Sequence, residues 1–355
     1  MKSHLSLILN LNLILILLFF LLLSSCRKEE PCATCPPPTN GPDTTSHEFT
    51  WHIDTLGGAQ SSAFYDVAII NDTLAYAVGE VYLNDSFGQL DPQPYGLAIW
   101  NGKGWTAKKV AYHDFGSTSL LPGSLNAVYA FGPNDVFVCS SANLLHWDGN
   151  SWTEKVFFMT GIPFNGQVLR MWGTSNTMLF CVGRGGAIYT YIGTSWQKLA
   201  SGTTLDVQDI WGDGGEILAV ASKPFVNYEK MVLSISGSTV TALSDSGIDE
   251  PVSCLWFSSA HHYYAAGSGI YEKSDLAESQ WKNGPLDIAH YFVYGMRANR
   301  PNDIVAVGGY GEVLHYNGAT WKSFHADVGL VAGNYYGVAM KNNLVIAVGA
   351  DAVHA

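Results

Sequence analysis

Cysteine, histidine and arginine carry most of the chemistry this chain can offer, and their spacing limits what each can do. Cys26 closes the segment Leu23-Ser24-Ser25-Cys26, so a thiol follows two small residues directly after an apolar run. A thiol so placed can take an acyl group. Cys32 and Cys35 form a C-x-x-C, but no βαβ pattern or following His supports a redox or haem role. A linker disulfide or two free thiols is the expectation there. Cys139, Cys181 and Cys254 sit in apolar, strand-like runs, where Cys acts as a small buried hydrophobe. His261 and His262 are adjacent, and neighbouring strand residues point to opposite faces, which disfavours a shared metal ion. His146 and His315 occupy one repeat position, a packing role. Arg170 and Asp209 stand two residues before Trp172 and Trp211 in adjoining repeats, which predicts an ion pair between those repeats. No Gly-x-Ser-x-Gly, phosphate loop or His-Glu-x-x-His occurs. No catalytic residue, metal or cofactor is expected.

The N-terminus has the form of a targeting segment. Lys2 precedes an apolar run from Leu5 to Leu23, long enough to graze the span of a bilayer but followed by small residues in the manner of a signal peptide. Leu23-Ser24-Ser25-Cys26 resembles the bacterial lipobox, which implies cleavage before Cys26 and a diacylglycerol on its sulfur. Cys26-Arg27-Lys28-Glu29-Glu30 resembles the export signal of Bacteroidota surface lipoproteins. The implied address is the outer membrane, facing the cell surface, with the periplasmic side as second choice. Pro31 to Ser46 hold five Pro with Gly, Thr and Ser, a linker composition. The expected organisation is a signal peptide over 1–25, a lipidated Cys and linker over 26–47, and a folded domain over 48–355.

Composition narrows the class. The chain has 355 residues with 37 Gly, 11 Trp, 18 Tyr, 16 Phe and 14% charged residues, which reads as all-β with many tight turns rather than as disorder. Its net charge of −12 with 18 basic residues excludes nucleic acid, since phosphate binding needs clustered Lys and Arg.

One phrase recurs along the folded part. Ile-Trp-Asn-Gly-Lys-Gly-Trp ends at Trp105, His-Trp-Asp-Gly-Asn-Ser-Trp at Trp152, Thr-Tyr-Ile-Gly-Thr-Ser-Trp at Trp196 and His-Tyr-Asn-Gly-Ala-Thr-Trp at Trp321, with degenerate copies ending at Val240 and Trp281. The steps are 47, 44, 44, 41 and 40 residues, a period that marks stacked supersecondary units. A second landmark, an alternating apolar run, ends at Gly79, Ser140, Gly183, Ser222, Gly267, Gly308 and Gly349. Eleven residues before these lie Ala68, Tyr129, Trp172, Trp211, Trp256, Arg297 and Val338, so the first two strands of each unit are joined by a short turn. Asp148-Gly149 and Asn317-Gly318 suit tight hairpins between the last two. Four antiparallel strands per unit, repeated radially, predict a seven-bladed β-propeller. The seventh unit stops short of its Trp-bearing strand, and Phe49 to Leu56 form an orphan copy of it. The expectation is that the strand around Trp51 completes the last blade and closes the ring.

These repeats resemble propeller repeats of secreted bacterial proteins, distantly similar to Asp-box, kelch and photosystem-assembly-factor propellers. The resemblance implies a fold and leaves function open. Sialidase chemistry needs an arginine cluster, yet beyond the linker only Arg170, Arg184, Arg297 and Arg300 occur. Loop length says more. Connections between second and third strands, and between blades, vary and share one end of the ring, where loops carry function on a fixed scaffold. That end holds Tyr82, Phe87, Tyr95, His113, Phe115, Phe158, Phe164, Phe225 and Tyr228, the candidate ligand-binding face. The expected function is that of a monomeric, non-catalytic binding or scaffold propeller, tethered to the membrane through Cys26, for a glycan, peptide or protein. The alternative is a propeller glycoside hydrolase or lyase with paired carboxylates in its central funnel.

Overall fold

The computed structural model describes residues 43–57, 62–113, 118–140, 143–193, 195–226, 228–258, 262–285, 287–328 and 333–350, with residues 157–166 of that span excepted. Cys26, Cys32, Cys35, Phe115, Phe158, Phe164 and His261, and the segment 1–25, lie outside the described residues. Among the described residues no helix is long and apolar enough to cross a membrane.

Alternating apolar runs punctuated by Gly, Asn and Asp fold into successive four-stranded antiparallel sheets. Blade one contains β1 (Ala63–Asn71), β2 (Leu74–Val81), β3 (Tyr95–Trp100) and β4 (Trp105–Lys108), and a short pair, β5 (Ala111–His113) and β6 (Leu120–Pro122), follows it. Blade two contains β7 (Ala127–Gly132), β8 (Asp135–Cys139), β9 (Asn143–Trp147) and β10 (Trp152–Val156). Blade three contains β11 (Val168–Ser175), β12 (Met178–Gly183), β13 (Ala187–Ile192) and β14 (Ser195–Lys198). Blade four contains β15 (Asp206–Asp213), β16 (Glu216–Ser222), β17 (Lys230–Ser236) and β18 (Thr239–Leu243). Blade five contains β19 (Val252–Ser258), β20 (His262–Gly267), β21 (Ile270–Lys273) and β22 (Lys282–Asn283). Blade six contains β23 (Val293–Arg300), β24 (Asp303–Gly308), β25 (Val313–Tyr316) and β26 (Trp321–Ser323). The last unit is a two-stranded sheet, β27 (Asn334–Lys341) with β28 (Leu344–Ala350).

Among the described residues, the expected seven complete blades are therefore corrected to six four-stranded blades and a last unit of two strands. β27 packs against β23 on one side and β1 on the other, so the short sheet stands between the last blade and the first. Each blade is apolar on both faces and must bury them against its neighbours. Seven apolar clusters do this. One lies between blades one and two around Leu125 and Leu145, another between blades two and three around Phe137 and Tyr189, and so on to Val338 and Val348 on the two sides of the short sheet.

Trp51 does not complete the last blade. Residues 49–57 form no strand, because β28 pairs with β27 alone among the described residues and offers no adjoining third strand for an outer one to pair with. The segment works instead as a strap. Thr45 donates its N–H to the Asn317 carbonyl at 3.0 Å and its hydroxyl to the Asn302 carbonyl at 2.7 Å. His47 Nδ1 meets His315 Nδ1 at 2.9 Å. Phe49 lies edge-on to His315 and Phe324, and Trp51 packs on Phe324. Leu56 then reaches the cluster containing Val348.

Candidate functional site

The innermost strands position the site through a repeated irregularity. β1, β11, β15, β19, β23 and β27 each skip one residue in their register with the second strand, at Tyr65, Leu169, Gln208, Ser253, Tyr294 and Tyr336. A bulge of this kind re-aims the side chains around it. The residues that follow it, including Asp66, Arg170 and Asp209, form the axial centre of the ring.

That centre is an ionic hub. Arg297 Nη1 and Nη2 donate to Asp209 Oδ2 and Oδ1 at 2.8 and 2.9 Å, and its guanidinium lies 5.2 Å from the Trp211 ring centre. Asp209 Oδ2 also accepts the Leu255 N–H at 3.2 Å. Arg170 Nη2 donates to the Tyr336 carbonyl at 2.6 Å, and its Nε stands 4.0 Å from Asp66 Oδ1. Asp66 Oδ2 accepts the Val128 N–H at 3.0 Å. Thus Arg170 pairs with Asp66 and Asp209 with Arg297, not Arg170 with Asp209 as their neighbouring repeats predict. The partners face each other across the axis instead of along the seam. Burial opposes the charge on Arg297, but the Asp209 carboxylate outweighs it and raises the Arg297 pKa. Burial raises the pKa of Asp66, against the pull of Arg170 and the Val128 N–H. Burial likewise pushes Cys254, on the neighbouring strand, up to about 12. The two axial carboxylates that a funnel hydrolase would use are each committed to an arginine and a backbone N–H.

Above the hub, at the end where loops vary, aromatic rings follow one another. Tyr65 and Tyr336 have ring centres 6.3 Å apart, Tyr336 and Tyr294 5.4 Å, Tyr294 and Phe292 5.0 Å, and Phe292 and Phe225 4.8 Å. This arc joins blade one, the two-stranded sheet, blade six and the β16–β17 loop of blade four. Tyr291, Tyr310 and His325 extend it, with Tyr291 4.8 Å from Tyr310 and 5.2 Å from His325. Burial, then the neighbouring Glu80 and Tyr336, raise the pKa of Tyr65; burial, then Tyr336 and Tyr310, raise that of Tyr294. Both therefore stay neutral hydroxyl donors. Phe225 is 76% exposed and Tyr310 53%. Each adopts a left-handed backbone, at φ 64° and 53°, a conformation that strains a bulky residue and persists where the surroundings hold it. Phe292 is buried, and the exposed rings of Phe225, Tyr291 and Tyr310 make an aromatic surface of the kind that marks an interaction site.

Of the residues expected on the ligand face, the structure brings Phe225 into the arc. Tyr228 stands on the same loop, 70% exposed. Tyr82 donates its hydroxyl to Glu80 Oε1 at 2.5 Å. Phe87 is 85% exposed at the tip of a loop that Asp85 Oδ1 fixes by accepting the N–H groups of Phe87 and Gln89. Tyr95 lies under Lys109, whose ammonium also bonds Asp91 Oδ2 at 2.5 Å. His113 is tied to blade two, its N–H bonding Glu154 Oε1 at 2.7 Å and its Nδ1 3.1 Å from Glu154 Oε2. Tyr65, Tyr294 and Tyr336 were not singled out by sequence reasoning. Their shared signal is the bulge position, three residues before the landmarks Ala68 and Arg297 and two before Val338, which no periodicity exposes.

At the opposite end, His146 Nε2 bonds Asp135 Oδ1 at 2.7 Å and His315 Nε2 bonds Asp303 Oδ1 at 3.1 Å. The shared repeat position is thus a packing device that pins the third strand to the head of the second. Among the described residues no group of three His, Cys, Asp or Glu can hold a metal, and Cys139, Cys181 and Cys254 are buried free thiols.

The sequence matches no protein-family profile and no curated protein. Solved structures do match. The chain is similar to YCF48 bound to D1 peptide, with a TM-score of 0.62, 17% identity, and 87% of this chain and 95% of that one covered. It is similar to YCF48 from Cyanidioschyzon merolae, at 0.58 and 13%, covering 82% and 94%. It is similar to the WD40 β-propeller domain of Doa1, at 0.58 and 16%, covering 83% and 92%. At such identities the likeness is one of fold: the chain is a β-propeller built like these proteins.

Proposed function

We propose that this protein is a non-catalytic binding propeller that captures an extended segment of a protein or peptide on the aromatic arc at the loop end of the ring. The observation that carries this reading is the run of rings from Tyr65 to Phe225, partly exposed and ending at Phe225 in a left-handed backbone, above a centre whose charges are satisfied by one another. Aromatic anchors contribute most of the energy in such contacts. The neighbour YCF48 bound to D1 peptide supports a peptide ligand for this architecture. The anchor belongs to the same proposal: cleavage before Cys26, lipid on its sulfur, and residence at the outer membrane facing outward. The strap starts at Asp43 on the turn end of blade six, where Asn302 Nδ2 donates to the Asp43 carbonyl at 3.1 Å.

The test is selection of peptides from a displayed library on the isolated propeller, followed by titration of the winners. Replacement of Phe225, Tyr294 and Tyr336 by Ala is expected to weaken binding at least tenfold. Selected peptides that bind this variant as tightly as the wild type would refute the site. Fatty-acid labelling that persists in Cys26→Ala would refute the anchor.

A further inference from the structure

The seam between blades three and four opens at the turn end into a groove of about 590 Å3, within the range of about 300–1,000 Å3 usual for small-ligand clefts. One wall is a face of blade three. Register places Trp172 opposite Phe180, Phe180 opposite Thr190 and Thr190 opposite Gln197, so a transverse row runs from the axis to the rim, apolar inside and polar outside. Thr174, Met178 and Ile192 form the next row outward. Met178 is 36% exposed and Ile192 47%.

The other wall is rich in glycine, with Gly212, Gly214, Gly215 and Gly237 beside the side chains of Asp213, Ile217 and Ser238. Blade four turns through Gly212-Asp213-Gly214-Gly215 where blades two and six carry Pro-Asn. A Cβ on Gly212 would lie 2.4 Å from the Trp172 indole, whereas a Cβ on Gly215 or Gly237 would meet nothing within 4 Å. Glycine therefore lets the indole approach at the inner end and leaves space at the outer end. On the opposite face of blade four the seam is filled by Phe257 and Tyr263 of blade five.

The lining selects a ligand class. Met178 and Ile192 offer an exposed apolar surface, backed at its inner end by the buried Phe180 and Trp172, while Thr174, Thr190, Gln197, Asp213 and Ser238 surround it with hydroxyl, amide and carboxylate groups. Thr190 is 3% exposed, and the acceptor its hydroxyl finds is the Met178 thioether at 3.9 Å, a weak one. A buried hydroxyl so placed has hydrogen-bonding capacity left for a ligand. No Lys, Arg or His lines the groove, which disfavours phosphates and acidic sugars. An apolar protein side chain would leave the polar rim unpaired. A pyranose ring satisfies both parts, stacking its C–H face on the apolar wall and its hydroxyls on the rim.

We propose that this groove binds a neutral saccharide unit, independently of the aromatic arc at the other end of the ring. The experiment is saturation-transfer NMR of the propeller with cellobiose, mannobiose and diacetylchitobiose, with N-acetylphenylalaninamide as the apolar probe. At least one disaccharide is expected to receive saturation on its ring C–H protons. Thr174→Trp, an exposed position whose new ring fills the groove, should abolish the signal, and Gln197→Ala should weaken binding at least threefold, both with unchanged melting temperature. Transfer to N-acetylphenylalaninamide and to none of the disaccharides, transfer to no probe at all, or disaccharide binding that survives Thr174→Trp would each overturn the proposal.

Discussion

The hub and the arc are built from the same strands a few residues apart, and they use their side chains in opposite ways. At the hub, Asp66, Arg170, Asp209 and Arg297 come from four different repeating units and satisfy one another, with Asp209 1% exposed. Along the arc, Tyr65, Tyr294 and Tyr336 share one bulge position, meet ring to ring and are only partly buried. The hub ties blade four to blade six and blade three to the two-stranded sheet. The arc ties little. The difference teaches that polar groups converging on a propeller axis are not in themselves a site: what counts is whether their partners are already inside the fold.

The largest expected effect lies at the hub. Arg297→Met leaves the Asp209 carboxylate buried with only backbone donors, and removing one member of such a pair costs about 3–5 kcal/mol. Urea unfolding should show this, and the double change Arg297→Met with Asp209→Leu should recover a large part of it. An Arg297→Met protein as stable as the wild type would erase the distinction between hub and arc. Next comes the strap. Phe49→Ala removes a ring set between His315 and Phe324, and a partly buried aromatic of this kind should cost about 1–3 kcal/mol, read as a lowered urea midpoint. On the arc, Phe225→Ser should change stability by no more than about 0.5 kcal/mol while weakening capture of selected peptides. A large loss of stability there would make the arc part of the scaffold.

The smallest effect is one of pH. Burial, then the nearby His315, lowers the pKa of His47 below the ordinary 6.5. The unfolded strap then binds a proton more readily than the docked one, so docking is fully stable above about 6.5 and weakens as pH falls through and below that value. The hydrogen-exchange protection of residues 43–56, corrected for the intrinsic rate at each pH, should fall between pH 7.5 and 5.5, and His47→Gln should flatten the response. Protection independent of pH would show that docking does not lower the His47 pKa.

The sequence by itself determined the repeating unit. Six first-to-second-strand connections are two-residue turns, as between Asn71 and Leu74 or Arg300 and Asp303, and Trp105, Trp152 and Trp321 open outer strands as their spacing predicts. These features are local: turn chemistry and alternation act between residues close in the chain. Trp51 shows where the same reasoning stops. Its segment carries an outer-strand pattern, but a strand needs an edge to pair with, and the edge available to it was not a property of that segment. The hub and the arc were less legible still. Arg170 and Asp209 read as partners because their repeats adjoin, yet the ring axis brings together inner strands of units that do not adjoin, so each found its counter-ion two units away. Tyr65, Tyr294 and Tyr336 were hidden for the same reason, since a one-residue bulge re-aims a side chain without altering the apolar pattern on either side. Short-range periodicity wrote the blades, and only closure of the ring decided which of their residues meet.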